Sequence, residues 1–348
     1  MTAIALPHDV VRPAARAVGI WLLVCAGMIF AMVVIGGITR LTESGLSIVE
    51  WRPVTGTLPP LNEAQWLAEF EKYRQIDQYR LLNAGMSLDE FKVIFFWEWF
   101  HRFWGRMIGL VFFVPFAWFV WTGAVRGTLA LKLAGIFALG GLQGFIGWWM
   151  VASGLRENMI AVSHLRLATH LGLAMIIFAS ILWVALDLLR GARAASPART
   201  AGLALAALVF LTTVAGAFVA GLDAGMTHNT FPLMDGRLFP PGYFDLQPAW
   251  RNVFDNVVAV QFNHRWLGIA SALAACAFAW RWARDAGADR MWLLAPALAA
   301  VGQATLGVAT LLAWVPLPLA AAHQAGAVVL LSTALAAAHA AGAVQPRR

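Results

Sequence analysis

Eight apolar runs, spread along all 348 residues, constrain the fold of this chain more than any other feature. About 20 apolar residues are what a helix needs to cross the hydrocarbon core of a bilayer. The runs lie near 18–39, 93–121, 131–151, 164–189, 201–222, 257–280, 291–314 and 319–341. Inside lipid, backbone N–H and C=O groups must pair within the chain, and a helix meets that demand segment by segment. The expected fold is therefore an all-α integral membrane protein with eight transmembrane helices. Charged residues make up only 12% of the chain, half the roughly 25% of soluble domains. The first run follows Arg12 and Arg16, but it is too long for a signal-peptide core. It ends in Ile38-Thr39-Arg40 without a small-residue cleavage site, so it reads as a retained helix.

The net charge of +7 has to be read by position. The N-terminal tail, the connections after spans 2, 4 and 6, and the C-terminal tail hold 12 Lys/Arg and three acids. The connections 40–91, 152–163 and 223–256 hold 8 basic and 13 acidic residues. Basic residues collect on the cytoplasmic side, so both termini are expected there, with the long loops 40–91 and 223–256 on the periplasmic side. The basic excess then orients helices and does not point to nucleic acid. Cys25 and Cys276 both lie in apolar runs, and there is no CxxC or CxxCH. Disulfide frameworks, zinc sites and covalent haem attachment are thereby disfavoured. In the first outer loop Trp66, Phe70, Tyr73 and Ile76 recur at helical spacing, which suggests an amphipathic segment on the membrane face. Ser87-Leu88-Asp89-Glu90 is a capping box that would start the second helix just outside the bilayer.

The second half of the chain echoes the first. Glu98-Trp99-Phe100-His101-Arg102 with Gly105 returns as Gln261-Phe262-Asn263-His264-Arg265 with Gly268. Gln143, Gly144 and Gly147 return as Gln303, Ala304 and Gly307. Glu43-Ser44-Gly45-Leu46 returns as Asp223-Ala224-Gly225-Met226, and Leu167-Ala168-Thr169-His170 as Ala320-Ala321-Ala322-His323. Two pseudo-repeated four-helix bundles follow, at 18–190 and 201–341. Tails 1–17 and 342–348 and a linker 191–200 are expected on the cytoplasmic side. Four spans return the chain to its starting side, so the repeats are parallel, which weakens an inverted-repeat transporter reading.

Only seven charged residues fall inside spans: Lys92, Glu98, Arg102, Arg106, Arg166, Asp187 and Arg265. Lys92 and Asp187 sit at span ends; the others cluster beside histidines in the outer halves of even-numbered helices. Charge within a membrane is costly and marks function by default. His101, His170, His264 and His323 each lie several residues inside the outer end of spans 2, 4, 6 and 8, whereas His8, His228 and His339 stand outside this pattern. Equal depth on two helices of one bundle is what bis-imidazole haem ligation requires. The plainer alternative is four polar histidines between helices. His164 competes with His170, but six residues turn a helix by about 240°, so the two cannot serve one haem face. His170 matches His323 and lies deeper. Arg166 shares a face with His170; with Arg102 and Arg265 it could pair with haem propionates, or each could snorkel to the outer interface. Gly140, Gly144 and Gly147 make a smooth stripe suited to a flat macrocycle or to close helix packing. Trp148 and Trp149 read as interface anchors.

One asymmetry divides the halves. Glu98 lies one turn before His101, and its counterpart is the neutral Gln261. A carboxylate at this depth can shuttle a proton, which an oxidation needs and an electron relay does not. The first bundle is therefore the candidate catalytic half. A structural Glu98 bonded to Arg102 is the alternative.

These segments, with Gly105-Arg106, Ala322-His323-Gln324, Gly45-Leu46-Ser47 and Trp51-Arg52-Pro53, resemble the haem A synthase family over nearly the whole chain. The resemblance implies an enzyme that oxidises the C8 methyl of haem O to the formyl of haem A by two successive hydroxylations and loss of water. It implies haem O at His101 and His170 with Glu98 essential, and a permanent haem b between His264 and His323 relaying electrons. Arg102, Arg166, Arg265, Gln143 and Gln303 are the expected haem-contacting residues. Some members carry a cysteine pair in the first outer loop; loop 40–91 here has none, as in the proteobacterial and mitochondrial branch. Haem O would come from a haem O synthase and haem A would pass to cytochrome oxidase assembly. A quinone or quinol is a candidate electron partner, and a homo-oligomer is compatible. The setting implied is the bacterial cytoplasmic membrane, with haem sites toward the periplasm. The other function class considered is a dihaem cytochrome without enzymatic activity, passing electrons between quinol and a partner.

Overall fold

A computed structural model describes residues 12–52, 55–284 and 286–344. His8, Asp9, Pro53, Asp285, Arg347 and Arg348 lie outside the described residues. Among the described residues are eight long helices: α1 (Arg12–Leu41), α4 (Leu88–Trp121), α5 (Gly127–Gly154), α6 (His164–Arg190), α7 (Pro197–Gly221), α9 (Val257–Trp282), α10 (Arg290–Leu312) and α11 (Leu317–Ala340). Three short ones, α2 (Glu63–Tyr73), α3 (Asp77–Leu81) and α8 (Asn252–Asp255), lie in the two long connections. Seven of the long helices are long and apolar enough to cross a membrane. The exception is α9, 26 residues long, whose outer third holds Gln261, Asn263, His264 and Arg265.

Helix contacts close into two rings. In the first, α1 and α5 each pack on α4 and α6; in the second, α7 and α10 each pack on α9 and α11. The rings meet along a seam where α6 touches α7 and α11, and α1 touches α11. The apolar core spans that seam, with Leu22, Cys25, Met175, Ile181, Val209, Leu331 and Ala334 all buried. Outward-facing positions such as Phe113, Trp118, Leu131, Leu273 and Leu298 are exposed, as a lipid-contacting surface requires.

The repeat extends to the backbone. Glu43 (φ 53°, ψ 25°) and Asp223 (φ 50°, ψ 27°) both adopt the left-handed conformation that side chains other than glycine rarely take. Each is followed by a three-residue 3₁₀ turn, Ser44–Leu46 or Ala224–Met226. The chain therefore leaves α1 and α7 by the same corner.

At the end of the molecule that carries the long connections the capping box is formed: Ser87 Oγ accepts from the Glu90 amide, and Glu90 accepts from the Ser87 amide. Trp66, Phe70 and Tyr73 of the expected amphipathic segment are helical, in α2, whereas Ile76 lies beyond its end, extended, as the N-cap of α3. The apolar face of α2 is covered by protein: Trp66, Phe70 and Tyr73 pack on Phe91, Ile94 and Phe95 of α4. The first turns of α4 carry this contact, with Phe91 fully buried in it. At the opposite end β1 (Arg193–Ala194) pairs antiparallel with β2 (Ala343–Val344), and Arg190 bonds Asp289 at 2.5 Å.

Candidate functional site

The four histidines share one construction. Each imidazole rests on a glycine of the long helix before its own. A Cβ placed on Gly36 of α1 would lie 2.9 Å from Cε1 of His101, and one on Gly147 of α5 would lie 3.0 Å from Cε1 of His170. The same test gives 2.9 Å for Gly216 against His264 and 2.8 Å for Gly307 against His323. Contacts this short leave no space for a methyl group beside the ring. Of the expected stripe, Gly147 therefore carries an imidazole, while Gly140 and Gly144 face open space. Gly36 and Gly216 had not stood out in the sequence, although they are 180 residues apart, the same offset as Glu43 and Asp223.

His264 and His323 face each other with ring centroids 6.3 Å apart and planes at 80°. Nδ1 of His264 lies 3.0 Å from the Thr212 carbonyl. A carbonyl only accepts, so Nδ1 carries the proton and Nε2 keeps its lone pair for a ligand. Nδ1 of both His101 and His323 is buried with no hydrogen-bond partner among the described residues. Gln303 Nε2 donates to the backbone carbonyl of His323 at 2.9 Å. Gln143 Nε2 donates in the same way to the carbonyl of His170 at 3.0 Å, and it lies 3.1 Å from that residue's Nδ1. The two glutamines thus fix the helices that carry the second histidine of each pair.

Glu98 is buried and fully engaged. Its Oε2 accepts from Ser47 Oγ and from the Ile48 amide, both at 2.7 Å. Its Oε1 accepts from Arg102 at 2.6 Å. Arg102 also donates to the carbonyls of Ile48 and Glu50. In the second ring Gln261 donates to the His228 carbonyl at 3.3 Å. Arg265 donates to the carbonyls of His228, Thr230, Pro232 and Leu233. Each arginine, one residue after its histidine, therefore ties down the loop that follows the corner. Arg166 is held differently: it stacks on Trp149 with 4.3 Å to the ring centroid and donates to the Trp149 carbonyl at 2.6 Å. Ser47 belongs to the Gly45-Leu46-Ser47 segment, but the bonds that it and the Ile48 amide make to Glu98 depend on how the loop folds back, which the sequence does not show.

His164 is not part of either pair. Its Nε2 lies 2.9 Å from Asp255, which Arg251 also holds at 2.9 Å. Burial works against the Asp255 charge, yet hydrogen bonds from Arg251 and His164 keep its carboxyl below the usual aspartate value. Among the described residues no group of three or more His, Cys, Asp or Glu side chains converges on one point. Two imidazoles do not complete a metal's coordination sphere, so a metal held by either pair needs its remaining ligands from elsewhere.

The family model for COX15-CtaA, described as "Cytochrome oxidase assembly protein", matches residues 19–335. A "Heme A synthase" of Rhodospirillum centenum is 58% identical over 91% of this chain and 86% of its own length. Relatives of the same name from Parvibaculum lavamentivorans and Nitrosospira multiformis are 51% and 52% identical. Each of those alignments covers 92% of this chain, with 93% and 92% of the relative's length.

Proposed function

The chain belongs to the COX15-CtaA family of cytochrome oxidase assembly proteins, and from that premise we propose how its two helix rings divide the work of a haem A synthase. The protein is a membrane oxidoreductase that converts haem O to haem A, a step on the path of cytochrome oxidase assembly. The observation that carries the division of labour is the charge difference between Glu98 and Gln261 at otherwise matching sites.

In this reading eight helices cross the membrane as two pseudo-repeated bundles, 18–190 and 201–341, with both termini cytoplasmic. The ninth-helix span α9 is included because its low hydropathy comes from the site residues themselves. The membrane is the bacterial cytoplasmic membrane, and both sites open toward the periplasmic side, where the acid-rich loops lie.

The first ring binds the substrate haem between His101 and His170. Its ligand histidines are seated by Gly36 and Gly147, and Gln143 steadies α6. Conversion of a methyl to a formyl group removes hydrogens as protons and electrons and adds one oxygen atom. Glu98 is the group that takes up protons; Arg102 and the Ile48 amide stabilise its charge, and Ser47 supplies a hydroxyl on which a proton can pass. The second ring fits a haem b between His264 and His323, because Nε2 of His264 is the free nitrogen and a macrocycle supplies the ligands that the protein does not. When bound, that group supplies one-electron redox chemistry. Arg166, with one protein acceptor, is the proposed propionate partner; Arg102 and Arg265 act chiefly by shaping the loops over the two sites. A haem O synthase as donor, a quinone or quinol as electron partner and a homo-oligomeric assembly complete the proposal.

Haem extraction from membranes supplied with haem O tests it. Glu98→Gln should leave haem O and haem B in the extract and no haem A, whereas haem A at the unsubstituted level would refute the assignment. His264→Ala and His323→Ala should each remove the resident b-type spectrum; a normal spectrum in both would show that the ligands lie elsewhere.

A further inference from the structure

Gln324 stands next to His323 in α11 but spends its side chain on α1. Across the seam its Nε2 donates to the Val33 carbonyl at 2.8 Å. Its amide lies directly over Gly37, so that a Cβ there would collide with it and the Gln324 side chain would have to move. The neighbouring residue, Gly36, is the seat of His101. One turn of α1 therefore touches both sites. Gly36 receives the first site's imidazole, while Val33 and Gly37 receive the side chain beside the second site's ligand.

The repeat has no such clasp on its other seam. The register that pairs His170 with His323 puts Leu171 in the place of Gln324. The register that pairs Gly36 with Gly216 puts Ala217 and Thr213 in the places of Gly37 and Val33. At the matching depth between α6 and α7 the contact is apolar, with Gly172 against Val214 and Phe210. Apolar side chains slide and repack at modest cost, whereas an amide in a low-dielectric seam is costly to leave unpaired. The departure from symmetry thus fixes α11 against α1 at one register.

We propose that Gln324 is a positioning residue that holds His101 in register with His323 through Gly36 and Gly37, so that the two sites are mechanically coupled. The proposal rests on reading the two histidine pairs as haem sites. Its signature is an effect across the seam: a change beside the second site's ligand is felt at the first.

The test uses the haem-loaded protein and electron paramagnetic resonance of each low-spin ferric haem, with haem A formation measured alongside. Gln324→Met fills the same space without the donor. It should leave second-site haem content intact, shift or broaden the first-site signal, and slow haem A formation by about fivefold, the size of one buried hydrogen bond. Gly37→Ala expels the Gln324 side chain and should give the same first-site change. The double variant Gly37→Ala/Gln324→Ala relieves the clash and should be no worse than either single change. Leu171→Ala, the equivalent position on the other seam, should leave the second-site signal as it was. A first-site signal unchanged in Gln324→Met and Gly37→Ala, or additive effects in the double variant, would overturn the clasp. If the unsubstituted protein showed no haem signal at either pair, the site reading itself would fall, and the clasp with it.

Discussion

Glu98 and Gln261 occupy one point of the repeat, and their side chains differ by a single atom. The carboxylate accepts three hydrogen bonds, while the amide makes one, to the loop carbonyl of His228. Gln261 shows that an amide at this depth is compatible with a folded corner. Glu98→Gln should therefore keep the fold at a cost of about 1–3 kcal/mol, from one poorly paired donor, and show its effect in chemistry. Glu98→Ala strands Arg102 and should cost about 3–5 kcal/mol, visible as a lower thermal midpoint in detergent. The glycine seats make a second residue-level prediction. Gly216→Ala and Gly307→Ala must displace an imidazole, because the new Cβ would stand 2.9 and 2.8 Å from the ring. Each should weaken second-site haem retention by roughly 10–100-fold, the usual effect of disturbing the support of a ligand, as measured by haem stoichiometry after dilution. Gly36→Ala should spare that haem and lower haem A yield. The four histidines proposed as ligands stand out in the sequence because charge and imidazole are so rare inside apolar runs. Arg102, one turn along, is readable as a partner of Glu98; the partners from the loop are not, because a hydroxyl and a backbone amide there carry no periodic signal.

Among the elements, α4 shows how much a helix boundary depends on its neighbours. Hydropathy places its start near residue 93, but the capping box begins it at Leu88, and the added turn is a docking surface. Phe91 is fully buried against Phe70 and Tyr73. Phe91→Ala should cost the α2–α4 contact about 3–5 kcal/mol. The expected readout is faster proteolysis within residues 63–81, with the b-type spectrum unchanged. The apolar spacing of Trp66, Phe70 and Tyr73 correctly gave a helix and an apolar face, yet spacing cannot say whether lipid or protein covers that face. The same limit acts in reverse on α9, where Gln261, Asn263, His264 and Arg265 lower hydropathy so far that the helix fails a test of apolarity. Polar side chains gathered on one helix make that helix harder to recognise as a candidate span.

For the whole molecule, the duplicated pattern predicts two rings, and the contacts supply what the pattern lacks, namely which helices form the seam. Polar links cross that seam at both ends of the molecule: Arg40 to Asp223 and His164 to Asp255 at the end that carries the long connections, and His339 to Asp187 at the other. Asp255 gives this a pH dependence. Its carboxyl titrates below the ordinary aspartate value of 3.8. Its contribution is therefore present above that value and is lost as the pH falls through the lower folded one. The drop in thermal midpoint on acidification below about pH 4 should be smaller in Asp255→Asn.

The passage between the rings has a further consequence. Only Gly191–Ser196 separates α6 from α7, and α7 brings its own cap, with Ser196 Oγ accepting from the Arg199 amide. Severing the polypeptide between Ala195 and Ser196 would break no helix. Residues 1–195 and 196–348, made in one cell as separate chains, should find each other in the bilayer and co-purify as a working pair. The covalent bond joining them would then be shown to supply proximity alone, a convenience of inheritance as one gene.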